Sequence, residues 1–403
     1  MPSLSLPFLS LPFFDATHRD AAARIVEWTR SAFVSLPAPT GPAQIDAHCR
    51  ALVASLGEAG ILTLCVPRTD GAGQPRIDSR ALCLARELLA QASPLADFSF
   101  AMQGLGSGAI SLAGSAAQKA MYLDAVAQGT RLAAFALSEP EAGSDVGGMR
   151  CEAVRRHDGY VLNGDKMWIS NGGIADFYVV FAREPGTTRS AGISAFIVDA
   201  GNPGLEIAER IDVISPHPLA RLRFRDCHVD ASMRLGDEGE GFKLAMRTLD
   251  IFRTSVAAAA LGFARKALRL GIERALSREM FGGVLADMQL TQATLADMAT
   301  AVESSALLVY RAAWMRDQGQ PTSREAAMAK LVATESAQRV VDAAVQIWGG
   351  AGVRVGEEVE ALYRDVRALR IYEGASEVQR LIIGGGLVKT ERASRARLAE
   401  AGR

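Results

Sequence analysis

Two segments of this sequence crowd hydroxyl, acidic, amide and aromatic side chains together closely enough to do chemistry. Phe135–Asp145 reads FALSEPEAGSD. A run of this kind, leaving the end of a predicted strand, can turn backbone N–H groups and hydroxyls toward a ligand. Asn163–Gly173 reads NGDKMWISNGG. Its Trp168 offers a ring to cover an aromatic ligand, while Ser170 or neighbouring N–H groups bond the ligand's edge. By composition alone both segments also read as turns. Other chemistries lack their residues. Gly104-Leu-Gly106-Ser-Gly108-Ala109 matches a dinucleotide-loop pattern, but it stands in a helical block with no strand before it. Small residues for close helix packing fit that context better. No Lys follows a Gly, which removes the GxxxxGKS/T phosphate loop, and no GxSxG nucleophile elbow occurs. The five cysteines and five histidines are scattered, with no CxxC and no HExxH, so no metal site is expected.

Something must hold these segments, and periodicity divides the chain into three blocks. From Arg19 to Gln128 the pattern is helical, with a stripe at Ala22, Ile25, Val26, Trp28 and Phe33. Leu82, Leu84, Leu88 and Leu89 predict a further helix capped by Asp78, and Pro67–Pro75 reads as a loop. From Thr130 to Val229 short β-branched and aromatic runs appear at 133–137, 160–164, 177–182, 193–198 and 220–229, with Asp158-Gly159 and Asn163-Gly164 as turns between strands. Helices do not alternate with these runs, which favours an antiparallel sheet or barrel over a parallel one. Phe242–Glu279, Gln289–Asp317 and Thr322–Trp348 then read as long helices, with Leu268, Ile272, Ala275 and Leu276 on one buried face. The fold expected is multidomain α+β: an N-terminal helical domain (1–129), a middle antiparallel β-barrel-like domain (130–235) and a C-terminal long four-helix bundle (236–403).

Composition narrows the surroundings. Lys plus Arg is 44 and Asp plus Glu 45, a balance that gives no drive toward nucleic acid or an anionic membrane. The longest uncharged run, Phe98–Gln118, is too rich in Gly, Ser and Gln to span a bilayer and reads as a buried helix. The apolar N-terminus has no basic residue before Arg19 and carries Pro2, Pro7 and Pro12, which makes it a poor match to an export signal. It reads as an extended arm packed on the body or on a neighbour. Scattered cysteines in an odd number read as free thiols, and the expected location is cytoplasmic.

SEPEAGSD followed by NGDKMWISNGG resembles the paired signatures of the acyl-CoA dehydrogenase family. The later half agrees. ALSREMFGG (275–283) is similar to the family's Arg-x-x-Phe-Gly element, AVQIWGGAG (344–352) to its Gln-x-x-Gly-Gly element, and RDVRALRIYEGASEVQR (364–380) to its Tyr-Glu-Gly segment. The order and layout match from about residue 15 to 390. The resemblance implies FAD and removal of two hydrogens from the α and β carbons of an acyl-CoA. It implies that Phe135, Ser138, Trp168 and Ser170 meet the flavin, with Ser144 near the CoA pyrophosphate. Arg278 and Phe281 would hold the diphosphate and adenine half. Gln289 and the stretch Gln346–Gly350, with Gly349 and Gly350, would make further cofactor contacts from a neighbouring subunit. Asp250 and Arg253 would lie near the CoA chain, and Tyr372 and Gly374 beside the substrate.

The resemblance makes Glu373 the base. A thioester α C–H is weakly acidic, so its removal needs a nearby carboxylate and a polarised carbonyl. A carboxylate beside a flavin and an apolar tunnel is the stronger base for its desolvation. Hydride would pass from the β carbon to flavin N5. Taken in isolation, Glu373 reads as a helix cap or as the partner of an arginine in RDVRALR. Two departures stand out: Ala375 and Glu377 replace the Thr and Gln of many relatives, which bears on flavin affinity or potential. Some relatives place the base on the long helix, where this chain has Phe252. Phe98 and Met102 suggest a short, branched or cyclic acyl group, or simply core packing. Arg189, Arg221 and Arg223 read as solvated charges or as CoA phosphate contacts. The implied partners are acyl-CoA, an electron-transfer flavoprotein as acceptor, and further copies of the chain in a homotetramer, a dimer of dimers. An acyl-CoA oxidase or flavin monooxygenase of the same fold, and a non-catalytic nucleic-acid-binding relative, are the alternatives.

Overall fold

The computed structural model describes residues 7–35, 39, 41–67 and 77–401. They divide into two units, one ending at Phe252 and one beginning at Arg253. Pro2 and most of the segment Pro67–Pro75 lie outside the described residues.

Five helices open the first unit: α1 (Ala16–Ser35), α2 (Pro42–Glu58), α3 (Ser79–Ala92), α4 (Pro94–Ala113) and α5 (Ala116–Ala127). On α1, Ala22, Ile25 and Trp28 are buried as expected, Val26 is half-buried, and the side chain of Phe33 lies outside the described residues. Asp78 caps α3, accepting from the N–H groups of Arg80 and Ala81, and Leu82, Leu84, Leu88 and Leu89 are buried. Ser93 caps α4 and a Ser115–Gln118 capping box opens α5. The uncharged run from Phe98 is therefore buried helix up to Ala113. Its glycines are packing residues. A Cβ at Gly104 or Gly108 would come within 2.6 or 3.1 Å of the Phe252 ring, and one at Gly106 within 2.7 Å of Ala133.

A single sheet comes next: β1 (Ala133–Ala136), β2 (Glu152–Arg155), β3 (Gly159–Ser170), β4 (Phe177–Arg183), β5 (Ile193–Asp199), β6 (Leu205–Arg210), β7 (Leu219–Asp230) and β8 (Arg234–Leu235). Its order is β6-β7-β3-β2-β4-β5-β8, with β1 joined to β4. Pairing is antiparallel except at β1–β4 and β2–β4, which run parallel, so the sheet is mixed rather than wholly antiparallel. Leu222 and Phe224 are buried, Arg221 and Arg223 half-buried and Arg225 exposed, the alternation expected of β7. Asp158-Gly159 does turn β2 into β3, but Asn163-Gly164 is no turn. It lies inside β3 at a register shift against β7. Gly164 has φ +143°, and a Cβ there would come 2.7 Å from the Cys151 backbone, so a strand bulge needs the glycine.

The long helix α6 (Gly241–Ser277) runs from the first unit into the second. The second unit continues with the hairpin β9 (Glu279–Met280) and β10 (Gly283–Val284), then α7 (Gln289–Asp317), α8 (Ser323–Trp348), α9 (Glu358–Arg367) and α10 (Ser376–Ala401). The buried face of α6 there is Ala264, Ala267, Gly271 and Ala275. Leu268 is half-buried, while Ile272 and Leu276 are exposed, a correction to the expected stripe. Small residues make this seam, so the large apolar ones mislead. Met298 and Ile347 lie against Gly271, and the Trp348 indole donates to the Leu270 carbonyl at 3.1 Å. All five cysteines are free and buried. Among the described residues no helix is long and apolar enough to cross a membrane, and no group of three His, Cys, Asp or Glu could hold a metal ion.

Candidate active site

In the first unit, strand β1 takes in Phe135 and Ala136 of FALSEPEAGSD, and a buried ion pair shapes the loop beyond them. Glu139 is 5% exposed and Lys166 fully buried. Lys166 Nζ donates to Glu139 Oε1 at 2.8 Å and to the Leu137 carbonyl at 3.0 Å. The two Glu139 oxygens also accept from the N–H groups of Arg150 (2.6 Å) and Cys151 (3.0 Å). Met167 N–H donates to the Ser138 carbonyl at 2.9 Å. The two signatures are thus stitched together at Ser138 and Met167, beside Trp168. Sequence reasoning gave Glu139 and Lys166 no role. Their signal was opposite charge within the two apolar-flanked motifs.

NGDKMWIS is strand, not loop, and at Trp168 its pairing with β7 shifts register. The Trp168 backbone has φ +62°, and its side chain is 53% exposed. A left-handed backbone is an outlier for a bulky residue and persists only where its surroundings enforce it. Here Lys166 anchors one side. On the other, Asn171, at φ +60°, donates through its side chain to the Ala133 carbonyl at 2.9 Å. Ser170 is half-buried and Ser144 exposed. Phe135 packs its ring 5.0 Å from that of Phe181.

Phe98 and Met102, one turn apart on α4, are half-buried, and the Phe98 ring stands 4.7 Å from the His217 imidazole. Burial pushes His217 below its ordinary pKa against the pull of the Ser215 carbonyl 2.8 Å away, which favours the neutral ring. Phe252 is buried against α4, and Asp250 is half-buried. Arg221 and Arg223 each direct Nε to Asp165 Oδ1 at 3.2 Å, and Arg189 lies 3.7 Å from Asp145. Neighbouring carboxylates therefore already meet all three arginines.

In the second unit, the Tyr-Glu-Gly segment is a tight turn between α9 and α10. Glu373 has φ +50° and Gly374 φ +90°. Both flanks are tied to Glu335 of α8. Arg370 meets it through Nε (2.9 Å) and Nη2 (2.8 Å), and Ser376 Oγ donates to it at 2.6 Å. Burial works against the Glu335 carboxylate, but these bonds outweigh it and hold the group below its ordinary value. The Gly374 carbonyl accepts from Lys330 Nζ and from Gln379 Nε2, each at 2.8 Å. Arg364 is bound to Glu360 at 2.7 Å. Arg364 and Arg370 of RDVRALR thus have carboxylate partners other than Glu373. Ala375 is half-buried, Tyr372 is exposed, and exposed Glu377 lies 4.0 Å from Arg380. Arg253 is buried on α6. Lys330, Glu335 and Gln379 escaped the sequence reading.

The remaining candidates are displayed outward. Arg278 precedes the two-residue hairpin turn Phe281-Gly282, at φ +50° and +81°. Such a turn suits Asn-Gly, yet this one carries a Phe that is 88% exposed. Gln289 and Gln346 are exposed. Gly349 has φ +63°, and a Cβ at Gly349 or Gly350 would meet no atom of this chain within 4 Å. Crowding within the chain does not explain these glycines.

The helical, sheet and helical segments, with these motifs upon them, define a class. Family models match for the acyl-CoA dehydrogenase N-terminal domain over residues 29–130, the middle domain over 134–227 and the C-terminal domain over 239–388. The chain is 40% identical over 346 residues to the mitochondrial short-chain specific acyl-CoA dehydrogenase of Mus musculus, covering 85% of this chain and 83% of that one. Butyryl-CoA dehydrogenase from Megasphaera elsdenii superposes with a TM-score of 0.85 at 34% identity, over 93% of this chain and 99% of that one. The FAD complex of PigA superposes at 0.84 with 26% identity, over 93% and 98%. The chain belongs to the acyl-CoA dehydrogenase family and is an enzyme of that oxidoreductase class.

Proposed function

We propose that this chain is an FAD-dependent dehydrogenase of short-chain acyl-CoA thioesters, with Glu373 taking the α proton. The observation that carries the reading is the Glu373 turn. A glutamate in left-handed backbone, in a turn fixed by bonds from both flanks to α8 and α10, has its backbone held at one place at an energetic cost. Fixed placement is what a general base needs. The relatives named short-chain specific and butyryl-CoA dehydrogenase support the substrate class.

The residues present fit FAD. Trp168 and Phe281 are exposed aromatic rings on strained backbone, which suits rings that cover a ligand rather than fill a core. Phe135, Ser138, Trp168 and Ser170 would meet the flavin. Arg278, Phe281, Gln289, Gln346, Gly349 and Gly350 would meet the diphosphate and adenine half, in part from a neighbouring copy. FAD, when bound, supplies at its N5 the acceptor for the β-carbon hydride. Ala375 contributes no hydroxyl and Glu377 adds a negative charge, so both would alter the flavin's surroundings. Ser144, Asp250, Arg253, Tyr372 and Gly374 would meet the CoA thioester. Phe98, set against His217, and Met102 supply bulk that favours a short acyl chain. Electrons would leave to an electron-transfer flavoprotein, and the working assembly would be a homotetramer.

Anaerobic absorbance titration with straight, branched and cyclic acyl-CoAs tests the reading. Short straight chains are expected to bleach the flavin. Glu373→Gln should keep its FAD and lose roughly 10²–10⁴-fold in rate. Full activity in that variant, or a flavin that no acyl-CoA bleaches, would sink the assignment.

A further inference from the structure

Lys330 is a lone cation in the Ala-rich stretch AAMAKLVA of α8, and it is fully buried. Of the other buried cations, Lys166, Arg86 and Lys266 have carboxylate partners, Glu139 at 2.8 Å, Asp97 at 2.7 Å and Glu358 at 2.7 Å, while Arg183 donates to carbonyls. Lys330 instead spends its hydrogen bond on the carbonyl of Gly374, the residue that follows Glu373. Gln379, also fully buried, donates to the same carbonyl, and its own amide oxygen has no hydrogen-bond partner. Leaving a buried oxygen unsatisfied costs about 1–3 kcal/mol, so Gln379 is not explained as a stability device.

We infer that Lys330 is the positioning residue for Glu373: with Gln379 it clamps the Gly374 carbonyl, fixes the left-handed turn, and sets a buried positive charge beside the base. The inference rests on the reading of Glu373 as that base. The charged groups around the Lys330 ammonium are Glu373 in the turn, Glu377 on α10, Glu335 one turn along α8, and Arg253 on α6. Among these carboxylates Glu373 has the largest influence on the Lys330 charge, ahead of Glu335 and Glu377. Burial works against that charge and pulls the lysine down to about 8, with Glu373 the leading influence that keeps it protonated. A cation beside a carboxylate keeps it ionised to lower pH.

Lys330→Met, neutral and of similar length, removes both charge and donor. Lys330→Gln removes the charge and keeps a donor. The holoenzyme with Lys330→Met is expected to lose roughly 10–100-fold in kcat, with KM far less affected. The acidic limb of its pH profile should move up by about one unit, because the base is protonated more easily. Its melting temperature should change little, since the gain from removing a desolvated charge offsets the lost bond to the Gly374 carbonyl, which Gln379 still meets. Lys330→Gln should recover much of kcat while the limb stays displaced. An unmoved limb, or a kcat loss that merely tracks a lower melting temperature, would overturn the inference. Difference infrared titration of the Glu373 carboxyl, assigned by its loss in Glu373→Gln, needs no substrate. A midpoint unchanged by Lys330→Met overturns the inference even if acyl-CoA is not the substrate. Should the Lys330 variants fail to fold, Gln379→Met loosens the clamp alone. It should lower kcat without moving the limb, and wild-type kcat there would refute the clamp.

Discussion

Trp168, Phe281 and Glu373 are three bulky or charged residues held at positive φ, and each was picked out by motif rather than by conformation. Residue type and order sufficed to find them, because a ring or a carboxylate between small and turn-forming residues is conspicuous. The residues that enforce their backbone are not conspicuous. Lys330 and Gln379 sit in helical runs where a polar residue reads as surface, and Lys166 reads as one charge among several. Burial decides otherwise, and burial is a property of the fold. Lys166 and Glu139 give a direct test. Lys166→Met strands a buried carboxylate and should lower unfolding free energy by about 3–5 kcal/mol in urea melts. Adding Glu139→Gln should recover part of that loss, since neither partner is then charged. A double variant no better than the single would mean that the Glu139 bonds to Arg150 and Cys151, not the charge pair, hold the loop.

At the scale of elements, legibility followed length and period. Helices α7 and α8 fell within a residue of the expected bounds, and α3 was announced by its cap. The strands β2, β6 and β8 were missed because EAVR, LEIAER and RL are short and charged. The parallel pairing of β1 with β4 was invisible, since it joins residues more than forty apart in sequence. Asn163-Gly164 misled because the glycine answers a tertiary demand, the approach of Cys151, rather than a local turn. Asp78 shows a local signal surviving. Asp78→Ala should destabilise by about 1 kcal/mol at neutral pH. Burial raises the Asp78 carboxyl, but bonds from His18 and the Ala81 N–H outweigh this and hold it at about 2. Its folded value is depressed, so its contribution is full above the unfolded value of 3.8 and is lost as pH falls through about 2. The wild-type and variant urea midpoints should therefore differ at pH 6 and draw together as pH falls through about 2. A gap undiminished at pH 2 would show that the cap does not depend on ionisation.

At the scale of the molecule, the second unit leaves large apolar side chains exposed on separate elements: Phe281 in the hairpin turn, Leu290 on α7, Val353 and Val355 after α8, and Leu381 and Leu398 on α10. Single exposed apolar residues are ordinary, but a series of this size in one unit suits surfaces that another copy covers. The flavin contacts proposed for Arg278, Phe281 and the Gln346–Gly350 stretch belong to the same unit, so cofactor retention and assembly should be coupled. Light scattering is expected to give four times the chain mass of 42.8 kDa. Phe281→Ala touches no core, so the protomer's own unfolding should change by less than about 0.5 kcal/mol. Arg278→Ala and Phe281→Ala should nevertheless lower the flavin-to-protein absorbance ratio, and stripping FAD should shift the mass toward smaller species. Adding FAD back should restore the assembly, because a ligand that binds only the assembled form stabilises it by mass action. A monomer that holds a full complement of flavin would break the coupling, and the exposed residues would then need another explanation.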